Sequence, residues 1–212
     1  MLRLYFMRHG ETVWNTERRY QGMTDIELSE EGLRQAECAA KRFKNIKIDK
    51  IYASPLKRAM KTAEKIAAEK GLEIISEDDF REIHFGEWEG KTVPELTEKY
   101  GESYTNFIRE PHKYGFPGEG SVENVINRIK PGIDKLIAED EGNVLIVSHG
   151  GIIRLMIIYI MGLDSSWFTK MWINNTGVSI IEIKDGRKLL LTLNDSAHLA
   201  ETGQNESNFL RP

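Results

Sequence analysis

Cysteine is nearly absent from this sequence of 212 residues, in which Cys38 stands alone. A single cysteine cannot form an internal disulfide, which excludes a disulfide-stabilised scaffold and fits a reducing compartment. An excess of positive charge is also lacking, because 29 Lys and Arg against 33 Asp and Glu give a formal net charge of −4. No general positive field is available to hold nucleic acid or an anionic membrane, so any anion must be bound by a local cluster.

Long apolar runs are lacking too. The longest one, residues 152–163, contains Arg154 and is too short to span a bilayer. The first residues do not show the pattern of a signal peptide. We therefore expect a cytoplasmic protein that binds neither membranes nor nucleic acid. With 40% hydrophobic and 29% charged residues, we expect one globular domain over residues 1–200 and a loosely ordered tail, 201–212.

Strand and helix signals alternate along the chain. Short apolar runs predict strands at residues 2–7, 50–53, 73–76 and 143–148. Helical spacing and cap residues predict helices after Ser29, from Ser54-Pro55 to Gly71, over 122–137 and over 150–161. This order predicts an α/β fold with a mostly parallel central sheet. Residues 178–184 and 188–193 are interpreted as the two strands of a hairpin. Residues 103–120 are interpreted as a loop, a cap or a lid.

Two His-Gly pairs occupy the ends of two predicted strands. His9 follows the first strand directly after Arg8, His149 follows the buried strand, and Arg58 lies in the first turn of the helix after the second strand. Ligands of open α/β sheets bind beyond the carboxyl ends of the strands. One histidine at a strand end is usually a structural residue, but two such pairs with two arginines favour a functional cluster. We expect the two imidazoles and the two guanidiniums to meet around one site.

The predicted cluster suits a phosphate dianion. Arg8 and Arg58 present planar forks that match phosphate oxygens, and they would repel each other without an anion between them. We predict that His9 is the nucleophile that attacks phosphorus. A protonated His149 and the helix N-terminus at Gly150 would stabilise the charge of the transition state.

A candidate proton donor and candidate neutral donors come from other segments. Glu82 follows the third predicted strand within the aromatic-rich stretch FREIHFGEWEG. A carboxyl in a dry pocket can protonate a departing alkoxide, although a solvated surface glutamate is an equally good interpretation. The loop after the first strand could supply neutral donors to the phosphate, at Asn15, Gln21 and Gly22.

Other site chemistries fit the sequence less well. GEWEGKT is a near match to a nucleotide-binding P-loop, but its glycines are separated by three residues rather than four. Two histidines and a glutamate could hold a divalent metal, yet Arg8 and Arg58 would oppose the cation and no H-x-H or HExxH spacing is present. We therefore expect neither a metal nor another cofactor. A regulator that binds phosphate without turnover is the non-enzymatic alternative.

The ordered motifs resemble those of the histidine phosphatase superfamily, also called phosphoglycerate mutase-like. The residues that carry the resemblance are Arg8-His9-Gly10-Glu11-Thr12, Asn15, Ser54-Pro55-Leu56, Arg58, Thr62, Glu82 and Ser148-His149-Gly150. The resemblance implies a three-layer α/β/α fold, no metal and a phosphohistidine at His9. It also implies a phosphate pocket of Arg8, Arg58 and His149 assisted by Asn15, with Glu82 as the proton donor.

A finer resemblance points to the branch of α-ribazole phosphatases and broad-specificity phosphatases, through FREIHFGEWEGKT, FPGEGS and LNDSAHL. Mutases of the family typically have an arginine pair in the cap, where this chain has Arg109, His112 and Lys113. The resemblance therefore implies hydrolysis of a small-molecule phosphomonoester, first of all α-ribazole 5′-phosphate. Broad specificity and mutase action are the alternatives, and a homodimer is compatible with the sequence. Aromatic residues that could line a pocket for such a ring, or belong to the core, are Trp14, Phe85, Trp88, Tyr104, Phe107, Tyr114 and Phe116.

Overall fold

A six-stranded mixed sheet forms the centre of the fold. In the computed structural model, which describes residues 1–202, the strands are β1 (Leu2–Arg8), β2 (Lys50–Ala53), β3 (Ile74–Ser76), β4 (Gly142–Ser148), β5 (Val178–Lys184) and β6 (Arg187–Asp195). Their order in the sheet is β3-β2-β4-β1-β5-β6. The pairs β1–β4, β2–β4 and β2–β3 are parallel, whereas β5 is antiparallel to both β1 and β6. The predicted α/β fold with a mostly parallel sheet is confirmed.

The helices alternate with the strands. They are α1 (Val13–Thr16), α2 (Glu30–Phe43), α3 (Lys57–Lys70), α4 (Val93–Tyr100), α5 (Glu102–Arg109), α6 (Val122–Glu139) and α7 (Gly150–Met161). Ser29 caps α2 by accepting a hydrogen bond from the Gly32 N–H. Gly71 ends α3 in the left-handed conformation, with φ of 63°. Both boundaries were readable in the sequence, because these residue types act through local backbone geometry.

The sheet is covered on both faces. Successive residues of β1 point to opposite sides, so Leu4 and Phe6 belong to one buried cluster and Tyr5 and Met7 to another. The first cluster packs against α6 and α7, and the second against α2 and α3. The implied three-layer α/β/α arrangement is therefore confirmed.

The segment 103–120 differs from the predicted loop. Its first part belongs to α5, in which Tyr104 and Phe107 are buried at helical spacing. The prediction of a loop is wrong there because the apolar spacing extends over little more than one turn, too short for a periodic signal. Helices α1 and α4, with four and eight residues, were missed for the same reason.

The predicted tail, 201–212, lies outside the described residues except for its first two positions. Those two positions complete the short 3-10 turn Ala197–Thr202. Cys38 is a free, half-buried thiol on α2. No helix within residues 1–202 combines the length and the apolar character needed to cross a membrane.

Candidate active site

The carboxyl ends of β1 and β4 bring the two predicted histidines together. The strands are parallel neighbours, with Arg8 opposite Ser148, so His9 and His149 leave the sheet side by side. The His9 N–H donates to the Ser148 carbonyl at 2.9 Å. The centroids of the two imidazole rings are 5.2 Å apart. Residues from distant parts of the chain therefore form one pair at the edge where ligands bind.

The hydrogen bond of the His9 ring determines which nitrogen is free. Nδ1 lies 2.6 Å from the Gly10 carbonyl oxygen, which can only accept, so Nδ1–H is the donor and Nε2 keeps its lone pair. The residue is 2% exposed. Burial, followed by the charges of Arg58 and Arg8, lowers the pKa of His9 well below its usual 6.5. The ring is neutral at neutral pH, with the unprotonated Nε2 that attack on phosphorus requires.

His149 has the opposite arrangement of paired and unpaired ring nitrogens. Its Nε2 lies 2.8 Å from the Ser54 hydroxyl oxygen, while its Nδ1 is buried without a hydrogen-bond partner among the described residues. Burial, Arg58 and His9 all lower the pKa of His149 well below 6.5. These surroundings favour a neutral ring, contrary to the protonated ring expected from the sequence. The negative charge of a bound phosphate would counteract them.

Arg58 is fully buried at the start of α3. Its Nη1 donates to the Thr24 carbonyl at 2.8 Å, and its Nη2 donates to the Gly22 carbonyl at 2.6 Å. Burial lowers the pKa of Arg58 to about 10, so the guanidinium is still charged at neutral pH. Because one loop holds both terminal nitrogens, the plane of the guanidinium is fixed.

Arg8 reaches the site from the end of β1. Its Nη1 donates to the Ile173 carbonyl at 2.9 Å. The side chain crosses Gly150, where an added Cβ would lie 3.4 Å from the Arg8 Nε. Burial lowers the pKa of Arg8 below its usual value, and the carboxylate of Glu82 opposes this shift. The guanidinium therefore lies against the start of α7, at a distance where even a Cβ at position 150 would make only a van der Waals contact.

Three buried nitrogens of this cluster have no partner within residues 1–202: Nε of Arg8, Nε of Arg58 and Nδ1 of His149. Buried polar atoms in proteins are normally hydrogen-bonded. Both guanidiniums are close enough to the two imidazoles to lower the pKa of each ring, and the ring centroids are 5.2 Å apart. Unpaired donors with net positive charge around a neutral nucleophile fit the oxygens of a phosphate group.

Glu82 lies beside the N-terminus of α7. Its carboxylate accepts hydrogen bonds from the Ile83 N–H at 3.0 Å and from the Gly151 N–H at 3.3 Å. The expected apolar surroundings are not observed. Phe80 and Trp88 point into the core, whereas Glu82 faces a cavity shared with Arg8 and Arg154. The carboxyl group thus faces the two guanidiniums of this cavity, and the aromatic residue in the lining is Trp172 rather than Phe80 or Trp88.

Comparison with known proteins agrees with this geometry. The sequence profile of the histidine phosphatase superfamily (branch 1) matches residues 4–196. The chain belongs to this superfamily. Phosphoserine phosphatase 1 of Hydrogenobacter thermophilus is 39% identical over 202 residues, which cover 95% of this chain and 96% of the relative. Because relatives in this superfamily are named as phosphatases, the chain is a phosphoric monoester hydrolase.

Solved structures of other members superpose well on this histidine phosphatase. Phosphoserine phosphatase of Entamoeba histolytica has a TM-score of 0.84 and 32% identity, over 94% of this chain and 100% of that chain. A putative α-ribazole-5′-phosphate phosphatase of Escherichia coli has a TM-score of 0.84 and 26% identity, over 92% of this chain and 97% of that chain. Both proteins have folds similar to that of this chain, but their names refer to different substrates.

The other residues that the sequence predicts as phosphate contacts differ in which polar groups they leave available in the structure of the phosphatase. The Asn15 Oδ1 accepts from the Thr12 N–H at 3.0 Å, and the amide nitrogen of Asn15 has no hydrogen-bond partner within residues 1–202. Gly22 contributes a carbonyl that holds Arg58, rather than the donor expected from the sequence. The Gln21 Oε1 is buried without a partner in the described part of the chain. Gly150 is the first residue of α7, as predicted.

Glu89 is a residue of the site region that the sequence analysis did not recognise. Its carboxylate accepts hydrogen bonds from the N–H groups of Met23, Thr24 and Phe85 at 3.1, 2.9 and 3.0 Å. The Thr24 hydroxyl also donates to it, at 2.5 Å. Gly22 approaches so closely that an added Cβ would lie 2.1 Å from the Glu89 carboxylate. Glu89 therefore holds the loop whose carbonyls orient Arg58.

Asn175 was missed as well. Its Nδ2 donates to the His9 carbonyl at 3.0 Å and contacts the Asn15 Oδ1 at 3.4 Å. The neighbouring Thr176 N–H donates to the Arg8 carbonyl at 3.0 Å. The segment after α7 thus supports the backbone that carries the nucleophile, through contacts no local sequence signal reveals.

Most of the aromatic residues that could have lined a substrate pocket belong to the core. Trp88, Tyr104, Phe107 and Phe116 are each less than 8% exposed and pack against one another through ring contacts of 5.1 to 5.2 Å. Their burial supports the interpretation of these four residues as core residues rather than as part of a substrate pocket. No group of three or more His, Cys, Asp or Glu side chains within residues 1–202 is arranged to hold a metal ion.

Proposed function

We propose that this chain hydrolyses small phosphomonoesters through a phosphohistidine at His9, with phosphoserine as its first candidate substrate. The observation that carries the proposal is the neutral, buried His9 with an unprotonated Nε2, in a cluster with Arg8, Arg58 and His149 that leaves three side-chain nitrogens without partners among the described residues. A phosphate group in that position would meet the nucleophile on one side and its electrostatic partners on the others.

The first chemical step transfers the phosphoryl group. The His9 Nε2 attacks phosphorus, the bond between phosphorus and the ester oxygen breaks, and Glu82 gives its proton to the departing alkoxide. Arg8, Arg58 and His149 donate to the phosphoryl oxygens, whose charge they stabilise. The Asn15 amide nitrogen, which is left free by its oxygen's bond to Thr12, assists.

The second step regenerates the enzyme. Water attacks phosphorus, the bond between phosphorus and the His9 Nε2 breaks, and Glu82 takes up the proton of the water. Inorganic phosphate leaves with the same set of donors around it. No step requires a metal ion or an organic cofactor.

Phosphoserine is preferred on two grounds. Relatives that bear this substrate in their names are 39% and 32% identical to the chain, against 26% for the structural neighbours named after α-ribazole. The aromatic residues that would have surrounded a ring are mostly buried in the core. α-Ribazole 5′-phosphate is the second candidate, because Trp172 lines the cavity beside Glu82 and is 41% exposed.

A kinetic panel tests the proposal. It compares phosphoserine, α-ribazole 5′-phosphate, 3-phosphoglycerate, a sugar phosphate, a nucleoside monophosphate and an aryl phosphate, for the wild type and for His9→Ala. We expect the highest kcat/KM with phosphoserine, no isomerisation of 3-phosphoglycerate, and no turnover by the variant. Phosphate binding without hydrolysis of any monoester would instead identify a regulator.

We retain the proposal of a single catalytic domain over residues 1–200, with which the profile match to residues 4–196 agrees.

A further inference from the structure

Arg154 lies beside the phosphate site but is not part of the proposed phosphoryl transfer. Its Nε donates to the Gly150 carbonyl at 3.1 Å, and its Nη1 donates to the Phe168 carbonyl at 3.0 Å. Its guanidinium also stacks on the Phe168 ring, 3.9 Å from the centroid. Three contacts therefore hold the guanidinium in one orientation. Its Nη2 has no hydrogen-bond partner among the described residues.

The cavity in front of this guanidinium adjoins the site of chemistry. It is small, with a volume of about 140 Å³. Its walls are formed by Arg8, Glu82, Gly150, Gly151, Arg154, Trp172 and Ile173. Arg8 and Glu82 belong both to this cavity and to the proposed site of phosphoryl transfer. Because Glu82 protonates the leaving alkoxide in the proposed function, the alcohol part of the substrate must extend into this cavity.

The charges in the cavity are unbalanced. Arg8 and Arg154 contribute two guanidiniums, while Glu82 contributes the one carboxylate of the lining. Arg154 forms no ion pair within 4 Å in the described part of the chain. Burial lowers its pKa to about 10, so it is still a cation at neutral pH. A half-buried guanidinium without a carboxylate in hydrogen-bond contact loses part of its solvation, and a substrate carboxylate would compensate for that loss.

We propose that Arg154 binds a carboxylate of the substrate, so that the enzyme selects phosphomonoesters with a carboxylate close to the ester carbon. This inference rests on the proposed function, since it places the leaving group beside Glu82. The planar guanidinium, held at Nε and Nη1, offers Nη2 to a carboxylate oxygen. The exposed Arg109 of α5 makes no comparable contact with the cavity, whose lining contains no residue of α4 or α5.

The test combines removal of the guanidinium with removal of the carboxylate. Phosphoserine and phosphoethanolamine differ only in the carboxylate, and both are assayed with the wild type, Arg154→Gln, Arg154→Met and the control Arg109→Gln. We expect the wild type to favour phosphoserine by about 10- to 100-fold in kcat/KM, the range typical of a charged hydrogen bond. Arg154→Gln should remove most of this preference, and Arg109→Gln should retain it.

The outcomes separate the inference from the proposed function. Damage to α7 or to the fold would lower kcat/KM for both substrates by the same factor, so an unchanged ratio in Arg154→Gln overturns the carboxylate role. A wild type that hydrolyses both substrates equally overturns it as well, while leaving the phosphatase proposal intact. Absence of any His9-dependent hydrolysis by the wild type overturns the proposed function itself. Should Arg154→Gln not fold, the preference is read from Arg154→Met, which keeps an unbranched aliphatic stem but has neither a charge nor a hydrogen-bond donor. In that variant, loss of at least half of the preference on a logarithmic scale supports the inference, and a smaller loss contradicts it.

Discussion

Replacement of Glu89 by glutamine should weaken both the fold and the phosphate site. In the wild type, the Oε1 atom accepts from the Met23 and Phe85 N–H groups, and Oε2 accepts from the Thr24 N–H and hydroxyl. An amide has one acceptor oxygen. If that oxygen keeps the Met23 and Phe85 bonds, the new NH2 group faces the Thr24 N–H, which loses its partner.

The expected size of the effect follows from these contacts. One orphaned backbone N–H and the loss of charge from the other hydrogen bonds should lower the free energy of unfolding by about 2–4 kcal/mol. The same loop presents the Gly22 and Thr24 carbonyls to Arg58. A displacement of that guanidinium by about 1 Å should reduce kcat/KM on the order of 10- to 100-fold.

Urea unfolding and steady-state kinetics measure the two effects of Glu89→Gln. Glu87→Gln is the matched control, because Glu87 lies two positions away and its ion pair with Lys99, at 3.5 Å, is exposed. We expect the control to resemble the wild type in both assays. Wild-type stability and activity in Glu89→Gln would refute the argument that this carboxylate holds the loop under Arg58. Lost stability with full activity would show that the loop does not determine the position of Arg58.

Three further predictions concern the carboxyl group, the histidines and metal dependence. Gly151→Ala would place a Cβ 2.6 Å from the Glu82 Oε1, so steady-state kinetics should show kcat reduced at least about tenfold, and a wild-type kcat would contradict this placement. Because the pKa values of His9 and His149 are lowered in the folded protein, the unfolded chain binds more protons below pH 6.5. The free energy of unfolding in urea should therefore fall between pH 7 and pH 5, by up to about 1.4 kcal/mol per pH unit for each ring. His198, whose pKa is lowered to about 4, acts in the same direction, and stability independent of pH in this range would contradict the buried neutral rings. Activity should survive dialysis against EDTA, and its loss, restored by a divalent ion, would favour a metal site.

The parts of the fold that the sequence predicted are those with strong local signals. The unbroken apolar run of β4 identifies a strand buried on both faces, and Ser29 and Gly71 mark helix boundaries through backbone hydrogen bonding and a positive φ. Helix α5 was missed because its apolar spacing extends over little more than one turn, and its burial depends on aromatic partners from other segments, such as Trp88.

The site could be predicted in outline for a topological reason. His9, His149 and Arg58 follow strands that are neighbours in a parallel sheet, so the strand ends place them together. Glu89 and Arg154 could not be recognised in this way. Three of the four hydrogen bonds to Glu89 come from Met23 and Thr24, in a loop far away in the sequence, and Arg154 interrupts a helix that otherwise has the composition of core. Their roles depend on tertiary contacts that no spacing encodes.

The most direct test of the account is the chemical identity of the phosphorylated residue. The wild-type enzyme is mixed with phosphoserine, quenched in base within the first turnovers, digested and analysed by mass spectrometry and phosphorus NMR. The account predicts an acid-labile phosphoryl group on His9, attached at Nε2 because Nδ1–H is bonded to the Gly10 carbonyl, and no label in His9→Ala. A phosphoryl group at Nδ1 or on another residue, or a labelled and active His9→Ala, would contradict it.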